Sequence, residues 1–208
     1  PRPLEKIDFN LPVIDNEIPV IGTFGFATKG KGFQHVVEAV NKEFDKAIIK
    51  INIPYGDYVP ESKLYAEFLG DICRSKVKPG IEVQVSHDFM DKVELIKWCS
   101  NNTLNCFLYD RNMPGLSATT DQAIISERPL AISKNETFRH ILEYLPPYPD
   151  YSLVDSINKS APVVKQMKQN WSAEKFREKF EQLLSENEHL IYNHNHPVNS
   201  LFVLPLRQ

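Results

Sequence analysis

Two lysines stand in a glycine-flanked run, Thr28-Lys29-Gly30-Lys31-Gly32, just after an apolar stretch that closes on Gly25. A flexible ammonium in such a loop reaches an anionic oxygen, while the glycines permit close backbone approach. A second chemical stretch is Leu104–Ile124, in which an apolar run ends on Asp110 and Arg111. A Pro/Gly turn follows, and then Gly115, Leu116, Ser117, Thr119, Asp121 and Gln122. A strand end, a loop and the opening of a helix in a row present backbone N–H groups and a positive helix end. That combination suits an anionic ligand such as a diphosphate. The same residues also fit blander descriptions: a solvated Lys/Gly turn, an ordinary strand-to-helix connection, and charges paired on the rim.

His87 beside Asp88 suits a general base with its orienting carboxylate, or equally a surface histidine after a strand. Arg139-His140 has a similar standing. His194 and His196 form a His-x-His pair without a clear third ligand, so no metal site is expected. The glycine-lysine loop lacks the Gly-Lys-Ser/Thr ending of a Walker motif and is not the dinucleotide glycine fingerprint. A nucleophile elbow, a His-Glu-x-x-His and an informative carboxylate pair are also missing, which removes support from the corresponding hydrolases. An acidic cluster of the kind a receiver domain needs is not found near Gly25 or Ile53.

These residues need a scaffold, and the hydrophobic pattern predicts one. Val20 to Gly25, Lys46 to Ile53, Ile81 to Val85, Leu104 to Tyr109 and Arg128 to Ser133 read as five strands. Between them fall helical patterns. The first carries Phe33, Val36, Val37, Val40 and Phe44. The second is capped by Ser62 and carries Leu64, Phe68 and Ile72 on one face. The third opens on an Asp91/Glu94 capping box and carries Val93, Ile96 and Trp98. Tyr151 to Ser160 reads as a small helix. A last helix begins at Ser172, with Trp171 stapling onto Phe176, and should pack across the domain through Phe180, Leu183 and Leu184.

Alternating strands and helices predict an α/β fold: a Rossmann-like, doubly wound, mostly parallel sheet with helices on both faces. Ligands of such sheets bind outside the carboxyl ends of the strands, where both chemical stretches fall. The expected division is an extended lead-in over residues 1–18, one domain over 19–186 and a tail over 187–208.

The composition agrees with a folded protein: 42% of the 208 residues are hydrophobic and 25% charged, and the mean hydropathy is -0.34. A net charge of -3 offers no whole-molecule attraction to nucleic acid or to an anionic membrane. No apolar run approaches the roughly 20 residues that span a bilayer, and a cytoplasmic protein is expected. Cys73, Cys99 and Cys106 are too widely spaced for a metal knuckle and read as buried free thiols.

Taken together, Val20-Ile-Gly-Thr-Phe-Gly, then Lys31-Gly32 and a helix with Glu38-Ala39, then Val85 to Leu95, resemble the C-terminal domain of GT-B glycosyltransferases of the retaining type. Pro114-Gly-Leu-Ser-Ala-Thr-Thr-Asp-Gln-Ala-Ile and Arg128-Pro-Leu-Ala-Ile-Ser continue the match, which covers roughly Pro19 to Leu184. The resemblance implies sugar transfer from a nucleotide-diphosphate donor to an acceptor glycan or related molecule, with no metal and no cofactor. Lys31 matches the family's lysine. The family's arginine falls on Phe26, with Thr28 or Lys29 standing in, and its two glutamates fall on Pro114 and Gln122. Gly25, Thr28, Lys29, Lys31, His87, Asp110, Arg111, Gly115, Leu116, Ser117, Thr119, Asp121 and Gln122 are the expected donor-binding residues, with Asp121 or Gln122 on the ribose. The expected partners are the nucleotide-sugar donor and a missing N-terminal domain carrying the acceptor site. The altered positions leave a second reading open, a noncatalytic interaction module of the same fold.

Overall fold

Five short apolar runs become strands: β1 (Val20–Phe24), β2 (Ala47–Asn52), β3 (Ile81–Ser86), β4 (Leu104–Phe107) and β5 (Leu130–Ile132). All pair in parallel, in the order β3-β2-β1-β4-β5. The computed structural model describes residues 3–15, 17–56, 61–111 and 115–193. Pro114, His194 and His196 lie outside the described residues.

The helices are α1 (Phe33–Glu43), α2 (Ser62–Ser75), α3 (Lys92–Ser100), α4 (Thr119–Ile125), α5 (Arg139–Leu142), α6 (Leu153–Lys159), α7 (Ala161–Asn170) and α8 (Ala173–Asn193). Period-two alternation along the strands feeds two cores, one on each face of the sheet. Ile21, Ile49, Ile51, Leu104 and Cys106 pack with α1, α2 and α6. Phe24, Phe107, Leu130 and Ile132 pack with α3, α4 and α7. The doubly wound sheet expected from the sequence is therefore present.

Local signals mostly hold. Asp91 and Glu94 form a reciprocal capping box on α3: the Glu94 amide donates to Asp91 Oδ1 at 2.8 Å and the Asp91 amide to Glu94 Oε2 at 2.9 Å. The Lys175 amide donates to Ser172 Oγ at 3.2 Å, as a cap for α8 should. The three thiols are free and buried, and burial pushes the Cys73 thiol up to about 11.

Several expectations need correction. Ser62 is not the cap of α2 but its first residue, because its hydroxyl is taken by the Gly56 carbonyl and Glu61 turns the chain through φ 68°. The buried face of α2 is Ala66, Leu69, Gly70 and Cys73, whose smaller side chains let the helix sit close on the sheet. Leu64 and Phe68 are left 65% and 57% exposed. On α8, which runs to Asn193, Phe176, Phe180, Leu183 and Leu184 stay about half exposed instead of being buried across the domain, and the first three line a small cavity with Pro3 and Trp171. The helix α7 was not foreseen from the sequence. Only Val164 and Met167 of its residues are buried, and Pro162 disguises its first turn.

The lead-in lies on the domain at its start. Leu4 is buried in the second core, its amide donates to the Trp171 carbonyl at 2.7 Å, and Arg128 donates to the Pro12 carbonyl. Among the described residues no helix is long and apolar enough to cross a membrane, and no group of three or more His, Cys, Asp or Glu side chains could hold a metal ion.

Candidate functional site

The order β3-β2-β1-β4-β5 places a topological switch between β1 and β4, since the chain moves to one side of β1 and then to the other. Crevices open at the carboxyl ends of strands at such a point. Here the opening is flanked by the loop after β1, residues 25–32, and by the chain that leaves β4.

Glycines in the β1 loop serve packing on protein, not the backbone approach to a ligand expected of them. The Gly30 carbonyl accepts from the Asp110 amide at 3.1 Å, and a Cβ on Gly30 would stand 2.4 Å from Arg111 Cβ. A Cβ on Gly32 would meet the Leu108 carbonyl oxygen at 1.8 Å. The two chemical stretches of the sequence are thereby locked to each other. Gly25 is different: its φ is 144°, and a Cβ there would stand 3.2 Å from Lys31 Nζ and 3.4 Å from Thr119 Cγ2.

Tyr109 is the hub of the crevice. Its ring is buried, and its hydroxyl accepts a hydrogen bond from Lys31 Nζ at 2.9 Å. The same oxygen lies 2.8 Å from Thr119 Oγ1 and 3.4 Å from Ser117 Oγ, and the last two hydroxyls are 2.7 Å apart. Lys31 Nζ is 4.6 Å and Arg111 Cζ 5.4 Å from the centroid of the Tyr109 ring, so one aromatic side chain carries two cations. Arg111 Nε is buried and has no hydrogen-bond partner among the described residues.

Two cavities flank this hub. The smaller, about 310 Å³, is lined by Gly25, Lys31, Arg111, Ser117, Thr119 and Gln122 together with Phe26, Asn52 and Phe89. Six of the expected donor-binding residues thus converge. The larger, about 780 Å³, is shared by Thr28, Lys29, Lys31, Asp110 and Arg111 with one face of α2.

Other contacts qualify the expected roles. His87 stacks on Tyr55, ring centroids 4.6 Å apart, and its Nδ1 donates to the Ile53 carbonyl at 2.8 Å, which explains it as a structural side chain. The Asp110 carboxylate meets His35 Nε2 at 3.0 Å. Gly115, Leu116 and Asp121 do not line either cavity. The Ser117 amide is spent on the Thr137 carbonyl at 3.1 Å, so Ser117 offers its hydroxyl. Thr28 and Lys29, the expected stand-ins for the family's arginine, line the larger cavity, and Arg111 joins Lys31 in the smaller one.

Tyr109, Asn52 and Phe89 were missed by sequence reasoning. A tyrosine ending an apolar strand is a usable signal, because a buried phenol needs a partner for its hydroxyl. Asn52 ends β2 in the same way and donates to Ser86 Oγ at 2.9 Å and to the Asp88 carbonyl at 3.1 Å.

No protein-family model and no curated protein matches the chain. Solved structures do. Anabaena HepE in complex with UDP and glucose is 14% identical, with a TM-score of 0.54 over 81% of this chain and 48% of that one. Sucrose-phosphate synthase from Thermosynechococcus elongatus is 12% identical, with a TM-score of 0.58 over 84% of this chain and 46% of that one.

The chain has the fold of a GT-B glycosyltransferase domain. The apo structure of OtsA gives the same picture, 12% identical with a TM-score of 0.56 over 81% of this chain and 43% of that one. The chain spans less than half the length of these three structures.

Proposed function

We propose that this GT-B-like chain is the donor-binding half of a glycosyltransferase, the C-terminal domain of a longer cytoplasmic enzyme that transfers a hexose-type sugar from a nucleotide diphosphate. The observation that carries this reading is the convergence of Lys31 and Arg111 on the smaller cavity, at the switch point. Two cations on one aromatic platform suit a diphosphate, whose charge grows on the leaving oxygen as the sugar departs. Ser117 and Thr119 add hydroxyl donors, and Gly25 leaves room beside Lys31. Gln122 in the cavity wall fits a ribose hydroxyl. HepE, a structure of like fold, was solved with UDP and with UDP-glucose. No metal or cofactor is required by this reading.

The acceptor site belongs, on this proposal, to a missing N-terminal domain. The half-exposed apolar stripe of α8, with Phe176 and Phe180 stacked at 6.4 Å, is consistent with a covering neighbour. Titration calorimetry with UDP, GDP and ADP sugars tests the donor reading. Binding of one of them is expected, and binding of none by the intact protein would overturn it.

One observation favours the second reading, a noncatalytic module. Phe26, in the place of the family's arginine, lines the cavity as an exposed ring. Turnover by the full-length protein that falls sharply in Lys31→Ala excludes that alternative.

A further inference from the structure

The larger cavity joins cations to an apolar flank, a combination that a sugar nucleotide does not need. At one end stand Lys29, Lys31 and Arg111. Among the described residues none of the three forms an ion pair with a carboxylate; Asp110, which lines the same cavity, is paired with His35. Along its side runs α2: Phe68 is exposed, Ile72 lies beside it, and Tyr65, which also packs against the core, stacks on Phe68 at 6.3 Å. From Tyr65 to Ser75 this wall extends ten residues, or about 15 Å of helix. The cavity is therefore a groove that joins a cationic cluster to an apolar flank, with Lys76, already paired with Glu38, past the far end of α2.

We propose that this groove binds a single-chain amphiphilic phosphate, its head on Lys29, Lys31 and Arg111 and its apolar chain along Tyr65, Phe68 and Ile72. Inorganic phosphate or a sugar phosphate would leave the apolar wall in water, and a neutral hydrocarbon would leave the cations unmatched. Lys31 and Arg111 line both cavities, which sets the head group beside the donor cavity. That the groove binds the amphiphile does not depend on the donor reading above.

Calorimetry on the full chain with dodecyl phosphate, dodecyl maltoside and inorganic phosphate as probes, all below micelle-forming concentration, tests the proposal. Dodecyl phosphate should bind about tenfold more tightly than either of the others. Phe68→Asp, at an exposed position, should keep the native circular dichroism and lose about tenfold in dodecyl phosphate affinity, with UDP affinity unchanged. Lys29→Glu should lose a similar factor. Equal affinity for dodecyl phosphate and inorganic phosphate, or wild-type affinity in both variants, would overturn the groove. If dodecyl phosphate binds and responds to Phe68→Asp while UDP does not bind, the groove stands and the donor reading falls.

Discussion

Lys31 Nζ and Tyr109 Oη are 2.9 Å apart and 78 positions apart in the chain. This one hydrogen bond ties the loop after β1 to the end of β4 and aims a cation at the crevice between them. Most testable consequences of the site run through it.

Tyr109→Phe removes the oxygen shared by Lys31, Thr119 and Ser117 but keeps the ring under the two cations. The expected stability loss is about 1–2 kcal/mol in urea unfolding, because buried hydroxyl partners lose an acceptor. Calorimetry should show UDP binding weakened by roughly 3- to 10-fold, the cost of an unanchored ammonium.

Lys31→Ala and Arg111→Ala should each lower UDP affinity by about 10- to 100-fold, the worth of a charge-assisted hydrogen bond. Both should also flatten the salt dependence of binding. Lys29→Ala, which lines only the larger groove, should change UDP affinity by less than about threefold. Equal effects of all three variants would mean that bulk charge, not position, governs binding.

Gly30→Ala places a Cβ 2.4 Å from Arg111 Cβ and 2.8 Å from Arg111 Cα, at a φ of 78°. Both the clash and the left-handed backbone oppose the methyl. A loss of about 2–3 kcal/mol is expected, seen as a Tm lower by about 4–12 °C.

His35 is held between Asp110 and Glu38, at 3.0 and 3.2 Å. Partial burial works to lower its pKa, but the hydrogen bonds to Asp110 and Glu38 outweigh that and raise it above the ordinary histidine value. The charged form is thus favoured in the folded state. Its stabilisation is fully present below the unfolded pKa of about 6.5 and is lost as pH rises through the higher folded value. Urea midpoints of the wild type and His35→Ala should differ most near pH ~5.5 and least above pH ~8.5, by about 0.5 kcal/mol for so exposed an ion pair. A gap that widens with pH would contradict the arrangement.

Much of the fold was legible because the sheet is buried on both faces. A strand in that setting must be apolar along most of its length, and Val20–Phe24 and Leu104–Phe107 show it without ambiguity. The Asp91/Glu94 box was legible because both partners lie within one helical turn. Faces were harder to read. On α2 two apolar stripes compete, and the smaller side chains won the sheet because they allow closer approach, leaving Leu64 and Phe68 outside. On α8 the periodic stripe of Phe176, Phe180, Leu183 and Leu184 was evident, but periodicity does not say how deeply a stripe will be buried.

For the site, sequence alone determined the chemical inventory: two lysines in a glycine loop, Asp110 and Arg111 after a strand, and a hydroxyl-rich helix start, all at the carboxyl ends of a parallel sheet. Tertiary structure decided how these divide. Arg111 and Lys31 meet only because Gly30 lets the two loops touch, and Tyr109 supports both cations only because β1 and β4 are neighbours in the sheet. His87 left the candidate site when β2 and β3 placed it against Tyr55. Local residue types can be read from sequence because they depend on near neighbours, whereas contacts 78 positions apart depend on strand order, which is set by how the whole core closes.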